Sequence, residues 1–461
     1  MSDIQVRDGY VVQNFDEYKL IVSDGFTPED IAMVQALYSR SAESAEVHLE
    51  KVLKTGSGKF MSSYYVGYGH KSIADCGSTT LFIEGVSTLT AKAVQDWSLY
   101  SGQETSTRYI DMSRQRIEDP VGTPKSKEIL RRWMAFYTSC QEPVAATVRQ
   151  RHPRRDGEKE EVYERAVKAR TFDILRAFLP AGITTQLSWH TNLRQAGDHL
   201  TMLLKHPSQE VRRVALSLQK MLTVAYTSSG FDANLATVSG VGNAGGEEAA
   251  RARVEWEQMV ADTYTYFPDY TSAAVFDTTI ERTSLIQYHK MLSTRPRGCA
   301  LPHFLTDLGQ VSFSFLLDFG SFRDIQRHRN GVCRMPLLTT DHGFELWYLE
   351  QLDDNLSHAA KDLIEEMLPQ IYNISTDPVV RQYYTPLGYR VPCFVTYGLP
   401  AAVYVMELRS GKTVHPTLRR LIHGGFIRHF REMFPDVKLH VDEDPDDWTV
   451  RRGEQTITAK G

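Results

Sequence analysis

Apolar residues along the chain recur with two periods, and four passages change from the strand period of two to the helical period of 3.6. Val311, Phe313 and Phe315 alternate as in a strand, and Phe319 and Phe322 continue the pattern at helical spacing. The four passages are TTLFIEGVSTLTAKAVQDW from Thr79, ITTQLSWHTNLRQAGDHLTMLLK from Ile183, VSFSFLLDFGSF from Val311 and CFVTYGLPAAVYVMELRS from Cys393. Each half of the chain holds two of them, separated by a long interval. The pattern therefore predicts a mixed α and β fold and indicates a duplication.

A glycine-rich stretch, SGVGNAGGEEAARARVEWE from Ser239, marks the clearest break between the two halves. Gly240, Gly242 and Gly245 match the G-x-G-x-x-G pattern, which opens a dinucleotide-binding turn when a strand precedes it. The preceding FDANLATVS is a poor strand, so an interdomain linker is favoured over a dinucleotide site. We predict a first domain over residues 1–238, a linker over 239–250 and a second domain over 251–461.

Composition and charge narrow the class of protein. The 461 residues are 42% hydrophobic and 24% charged, as in soluble globular proteins, and this length favours two or more domains. The formal net charge of -5 argues against a general nucleic-acid binder, which needs a basic surface. We see neither a signal peptide nor an apolar run of the ~18 residues that a membrane span needs. We therefore expect a cytoplasmic protein that binds neither nucleic acid nor membrane.

The five cysteines are scattered without a CxxC pair, so neither a zinc site nor a disulfide framework is predicted.

The segment SGQETSTRY, from Ser101 to Tyr109, carries a first candidate set of polar side chains. If the segment is extended, Glu104, Ser106 and Arg108 project from one face, because strand side chains alternate. An arginine and a hydroxyl can bind phosphate, and a carboxylate can bind a base or sugar. A surface strand with ordinary cross-strand pairing is the alternative interpretation.

A second candidate set is basic and follows the apolar segment FSFLLDFGSF. The sequence RDIQRHRNGVCR places five cationic or imidazole groups close together: Arg323, Arg327, His328, Arg329 and Arg334. Such a cluster repels itself unless an anion neutralises it, and its position after an apolar helix argues against simple solvation. The cluster indicates an anion or phosphate site.

These two sets together resemble the flavin-dependent thymidylate synthase family. One motif of that family combines an Arg-His-Arg triplet with a following Ser, Glu, Ser, Arg, Tyr pattern. The second half keeps only the triplet, as Arg327, His328 and Arg329, and continues with CRMPLLTT. The first half keeps the other part, with Gln95-Asp96-Trp97 near the triplet's place, and the matching residues are Ser101, Glu104, Ser106, Arg108 and Tyr109.

Further matches surround this split motif. GYGHKSIADCGSTTLFIEGVS resembles the family's Gly-His-x-Ser-x-x-Glu stretch through His70 and Ser72, with Asp75 in place of glutamate. By the same resemblance, Arg176 corresponds to a nucleotide-binding arginine. Asn192, Arg194 and Asp198 correspond to flavin-binding positions. The next family arginine is Leu203 in the first half and Arg409 in the second, where Gly398 and Pro400 replace the flavin pair.

The resemblance implies an α+β fold in which each half has a small central β-sheet flanked by helices. It implies an enzyme that methylates deoxyuridine monophosphate to thymidylate with FAD, using methylenetetrahydrofolate and NADPH as co-substrates. The family forms tetramers with shared sites, so a fused pair implies a homodimer that acts as a pseudo-tetramer. Two alternatives remain open: a flavoenzyme acting on another nucleotide-like substrate, and a catalytically silent nucleotide-binding or scaffold protein.

The implied site residues fall into three groups. Arg327, His328, Arg329 and Ser106 form the catalytic group. FAD contacts are implied for His70, Ser72, Asp75, Asn192, Arg194, Asp198 and the triplet. The pyrimidine nucleotide contacts are Glu104, Ser106, Arg108, Tyr109, Arg176 and Arg409.

Overall fold

The computed structural model describes residues 5–14, 19–23, 25–63, 71–231, 246–262 and 275–446. Within these ranges the chain forms two compact units. The first contains the described residues of 1–83, 99–103 and 188–263, and the second contains the described residues of 84–98, 104–187 and 264–461. None of the helices in the described ranges combines the length and apolar character that crossing a membrane requires.

The first unit holds a three-stranded antiparallel sheet in the order β1, β2, β3, formed by Gln5–Arg7, Tyr10–Asn14 and Lys19–Ser23. Tyr10 and Val12 of β2 pack with Met33 and Leu49 in a small apolar core. Helices of this unit are Pro28–Tyr38, Ala45–Thr55, Gly58–Phe60, Lys71–Ala74, Leu193–Leu203, Gln209–Ala225 and Gly246–Asp262. The first helix begins at Pro28 because Thr27 caps it, accepting a hydrogen bond from the Asp30 backbone amide.

The second unit is built on a four-stranded antiparallel sheet of Val275–Thr278 (β6), Gln310–Asp318 (β7), Val332–Arg334 (β8) and Arg390–Gly398 (β9). The strands lie in the order β6, β7, β9, β8. Its α-helices are Thr88–Gln95, Pro124–Ser139, Gln141–Arg151, Glu160–Leu175, Arg282–Leu285, His289–Thr294, Phe319–Ile325, Leu346–Glu350, Asp354–Ile374, Pro378–Arg381, Leu399–Arg409, Pro416–Leu421 and Arg428–Met433. Its 3₁₀ turns are Arg176–Phe178, Ile286–Tyr288, His303–Leu308 and Gln382–Tyr384, and Ile422–Ile427 is a π-helix. Together the elements confirm a mixed α and β fold with small antiparallel sheets.

All four predicted strand-to-helix passages are present. The strands β4 (Ser78–Ser87) and β5 (Thr184–Asn192) pair as a two-stranded sheet. Each of β4, β5, β7 and β9 runs directly into a helix. At three of these four junctions a side chain caps the helix, since Ser87, Asn192 and Asp318 each accept a hydrogen bond from a backbone amide of the first helical turn.

Two segments of the second unit meet through reciprocal backbone hydrogen bonds. Ala181 N donates to Thr385 O, and Leu387 N donates to Leu179 O. A second exchange joins Gly182 N to Tyr383 O and Gly388 N to Ala177 O. Ala181 and Leu387 are thus equivalent donors, and Thr385 and Leu179 are equivalent acceptors, which gives this contact a local two-fold pattern.

Glycine is required where these two segments approach each other. A Cβ at Gly182 would lie 2.8 Å from Tyr383 O, and one at Gly388 would lie 2.8 Å from the Ala177 Cβ.

The predicted limits of the two domains stay a prediction, since residues 232–245 lie outside the described residues. The second compact unit draws residues from both sides of the predicted linker.

Candidate functional site

Asp324 lies at the centre of an arginine cluster in the second unit. Arg108 Nη1 lies 4.0 Å from Asp324 Oδ2, and Arg327 Nη1 lies 4.0 Å from Oδ1. Burial disfavours the charged carboxylate, but the charges of Arg108, Arg327, Arg409 and Arg176 outweigh it and lower the pKa of Asp324. The structure therefore brings predicted residues from both sequence halves together around one carboxylate that sequence analysis did not single out.

Arg108 is fixed by a second carboxylate. Its Nε donates to Asp173 Oδ1 at 2.8 Å, and its Nη2 donates to the Thr413 carbonyl at 3.2 Å. Asp173 is buried in helix Glu160–Leu175, so this ion pair is shielded from solvent. The guanidinium is held in one orientation beside Asp324.

The segment that carries Arg108 does not meet the condition of an extended strand, under which three of its side chains would share one face. Bridges to β5 occur at Ser101 and Glu104, and the chain then turns, with Tyr109 N donating to Ser106 O. The Ser106 hydroxyl accepts a hydrogen bond from Arg108 N at 3.2 Å, a local contact that competes with strand pairing. Ser106 and Arg108 are therefore neighbours in a turn rather than alternate residues of one strand face.

Glu104 is occupied by protein contacts. Its carboxylate pairs with the Arg323 guanidinium and accepts a hydrogen bond from Gln95 Nε2 at 2.7 Å. Its side chain is only 1% exposed. This buried pair connects the segment at Glu104 to the helix Phe319–Ile325, whose last turn precedes the Arg-His-Arg triplet.

His328 of the triplet accepts a hydrogen bond from Arg409. The Arg409 Nε lies 2.7 Å from His328 Nε2. Burial, followed by the adjacent Arg409 charge, lowers the pKa of His328 to about 3. Nε2 is then the unprotonated nitrogen of a neutral imidazole at physiological pH. The triplet also contains Arg329, whose Nη1 donates to Arg327 O at 3.3 Å.

The neutral state of His328 makes stability depend on pH. Below pH ~6.5 the unfolded chain binds a proton at this position, whereas the folded chain does so only near pH 3. We expect each such buried histidine to lower the free energy of unfolding by about 1.4 kcal/mol per pH unit on acidification between these values. His328→Gln retains an acceptor for Arg409 and should reduce this slope, measured by urea unfolding between pH 6 and pH 4. His358→Gln, at an exposed histidine, is the control, and an unchanged slope in His328→Gln would contradict the buried neutral imidazole.

Arg176 is buried instead of facing solvent. It is 2% exposed, and its Nη2 donates to Ser321 Oγ at 2.7 Å. Its Nε lies 3.4 Å from Tyr348 Oη, and its Nη2 lies 3.7 Å from Asp318 Oδ2. The Tyr348 hydroxyl in turn donates to Asp318 at 2.8 Å. These three partners cannot be identified from the sequence alone, because each lies more than 140 residues from Arg176 and none belongs to a motif.

The residues implied for FAD lie mainly in the first unit. Arg194 Nε contacts Asp75 Oδ1 at 2.7 Å, and its Nη1 contacts Asp198 Oδ2 at 3.0 Å. Asn192 caps helix Leu193–Leu203, since its Oδ1 accepts from Gln195 N at 2.8 Å. Ser72 is exposed, and His70 lies outside the described residues.

Known proteins resemble the chain over two different extents. Residues 20–225 match the model of the family described as "Thymidylate synthase complementing protein". A UPF0159 protein of Chlamydia pneumoniae is 25% identical over 412 residues, covering 77% of this chain and 75% of the relative. A UPF0159 protein of Thermoplasma acidophilum is 23% identical over 453 residues, covering 83% and 90%. The relatives therefore align well beyond the residues that match the family model.

Proposed function

We propose that this chain, whose residues 20–225 match the thymidylate synthase complementing protein family, is an FAD-dependent enzyme that methylates deoxyuridine monophosphate to thymidylate. The carbon donor in this proposal is methylenetetrahydrofolate, and NADPH is the reductant. The proposal extends to the second half of the chain because the arginine cluster contains residues from both halves.

The arginine cluster is the observation that carries the proposal. Arg108, Arg327 and Arg409 lie around Asp324, and among the described residues only Arg108 has a second carboxylate, Asp173. Within the described ranges, Arg327 has no hydrogen-bond partner for its guanidinium, and the Nη groups of Arg409 have none. The three guanidinium groups exceed the two carboxylates, and a phosphate monoester would supply the missing negative charge.

Each residue of the cluster has a distinct task in this proposal. Arg327 and Arg409 donate to the nucleotide phosphate, and Arg108 approaches it from the turn that contains Ser106. Neutral His328 accepts from Arg409 Nε and so directs the free Nη groups, while it neither adds charge nor exchanges a proton near neutral pH.

The two deeply buried residues act through others. Arg176 is a positioning residue, because its contacts are to Ser321, Tyr348 and Asp318. Glu104 is also a positioning residue, because it is held by Arg323 and Gln95. Exposed Tyr109 and the Arg329 side chain complete the nucleotide and flavin contacts in the proposal.

The first-unit residues fit FAD by the chemistry of their donors. The Asn192 Oδ1 is used as a helix cap, but its Nδ2 has no partner among the described residues and can donate to a phosphate or ribose oxygen. Arg194 retains Nη2 as a donor after its contacts with Asp75 and Asp198, and exposed Ser72 adds a hydroxyl. Reduced FAD supplies the hydride when it is bound. We further propose that two chains associate as a homodimer, the equivalent of the tetramer that the resemblance implies.

The first experiment is the visible absorption spectrum of protein purified without added flavin. We expect the absorption bands of oxidised FAD in the purified protein. If the protein is purified without flavin, we expect a saturable change in those bands when FAD is titrated in. A protein that stays colourless and fails to bind FAD would leave the nucleotide-binding or scaffold alternative. Flavin reoxidation that depends on deoxyuridine monophosphate and gives a methylated product supports thymidylate formation. Reduction of the flavin by NADPH and its reoxidation by oxygen, both without dependence on deoxyuridine monophosphate, would indicate another substrate.

Asn192→Ser tests the flavin contact without removing the helix cap. Serine is a good N-cap, so helix Leu193–Leu203 should keep its stability, but the Nδ2 donor is lost. We expect FAD to bind about fivefold to tenfold more weakly, as for loss of one hydrogen bond of about 1 kcal/mol. Asn355→Ser, at an exposed amide in helix Asp354–Ile374, is the matched control. Equal FAD affinity in the two variants would contradict the assignment of Asn192.

A further inference from the structure

Tyr404 presents an aromatic ring to solvent beside the arginine cluster. The residue is 58% exposed, and its ring centroid lies 6.0 Å from that of His328 at an interplanar angle of 69°. His328 also contacts Arg409, which donates the 2.7 Å hydrogen bond to Nε2. One neutral imidazole therefore contacts both an exposed aromatic ring and an arginine whose Nη groups have no hydrogen-bond partner among the described residues.

The corresponding helix of the first half lacks both features. Helices Leu193–Leu203 and Leu399–Arg409 each follow a long strand directly, and each contains 11 residues. Where the second helix has Tyr404 and Arg409, the first has Asp198 and Leu203 at the same helical positions. Asp198 pairs with Arg194, and Leu203 is buried in the core. Of these two helices, Leu399–Arg409 alone carries both the aromatic ring and the cation.

An exposed aromatic ring next to a cationic site suits a ligand with a planar ring joined to an anion. Stacking on a tyrosine face stabilises any nucleobase, since every base presents a π-face. In a nucleoside monophosphate the sugar connects such a base to a phosphate. In the protein, His328 contacts both Tyr404, which suits the base, and Arg409, which suits the phosphate. The exposed neighbour Leu408, one helical turn after Tyr404, is apolar but offers no ring.

We propose that Tyr404 is the stacking residue for the base of a nucleoside monophosphate whose phosphate is bound by Arg327 and Arg409. The inference rests on the proposed function for its phosphate site and adds the residue that selects a heteroaromatic ligand. Tyr404 contributes ring surface, and its hydroxyl is not required for this role.

The test compares two ligands that share the phosphate. Affinities for deoxyuridine monophosphate and for deoxyribose 5-phosphate are measured by calorimetry on full-length wild type and on three variants. Tyr404→Ala should bind the nucleotide about tenfold more weakly, the loss expected for one base–aromatic stack, and bind the sugar phosphate unchanged. Tyr404→Phe should retain the nucleotide affinity. Leu408→Ala, on the same exposed helix face, should match wild type for both ligands.

The outcomes separate this inference from the function on which it rests. A Tyr404→Ala variant with unchanged nucleotide affinity, or with equal losses for both ligands, would overturn the stacking role. A changed oligomeric mass in Tyr404→Ala alone would show instead that the ring covers a contact between chains. Wild type that binds neither ligand would reject the phosphate site itself, whereas sugar phosphate binding without a gain from the base would reject only Tyr404.

Discussion

Arg409→Leu is expected to weaken binding of deoxyuridine monophosphate by about a hundredfold. In the proposed site the Arg409 Nη groups donate to the phosphate, and loss of charge-assisted hydrogen bonds costs up to about 3 kcal/mol. Burial lowers the pKa of the Arg409 guanidinium, and the negative charge of Asp324 offsets this lowering only in part. A partly desolvated cation that lacks a full partner binds an anion more strongly than an exposed one. The measurement is the dissociation constant of the nucleotide by calorimetry at low salt.

The matched control is Arg431→Leu. Arg431 belongs to the same unit but pairs with Glu443 at 2.8 Å on the surface. Its removal should leave the nucleotide affinity within twofold, because an exposed pair contributes little and lies outside the cluster. Thermal unfolding of both variants identifies any general loss of structure. Equal affinities for Arg409→Leu and wild type, with intact folding, would remove the arginine cluster as the phosphate site.

Local signals in the sequence were sufficient to predict the strand-to-helix passages. The alternation of Val311, Phe313 and Phe315 is set by one buried sheet face, and the structure buries all three side chains. The capping residues Asn192 and Asp318 also act within three positions of themselves. Patterns that extend over only a few positions can be read from a short segment of sequence. The strands and helices could therefore be placed without knowledge of the tertiary structure.

The partners of the charged residues could not be predicted in the same way. Arg108 was selected for its motif, but the orientation of its guanidinium depends on Asp173, which is 65 positions away. Asp324 lies within RDIQRHR, yet a count of charges shows only a basic cluster and not which carboxylate lies at its centre. A shared strand face for Ser106 and Arg108 depended on an extended segment, and the contact of the Ser106 hydroxyl with the Arg108 amide lies in a turn instead.

Arg176→Met is expected to destabilise the protein by about 3–5 kcal/mol without a comparable effect on the intrinsic affinity of the phosphate site. Removing one member of a buried ion pair leaves the other charge without compensation. Of the partners that the described part of the chain provides, Asp318 would then keep Tyr348 and the Ser321 amide. The measurement is the free energy of unfolding from urea titration, alongside nucleotide affinity measured well below the melting temperature.

Arg116→Met provides the control for this change, since Arg116 is an exposed arginine paired with Glu118 at 2.6 Å. It should change stability by less than about 0.5 kcal/mol, as surface substitutions do. If Arg176 instead contacts the nucleotide phosphate, as the family resemblance implies, Arg176→Met would lose affinity strongly while stability fell little. The two results are opposite in both measurements, because a cation satisfied by Ser321, Tyr348 and Asp318 stabilises the fold, whereas a cation awaiting a ligand stabilises the complex.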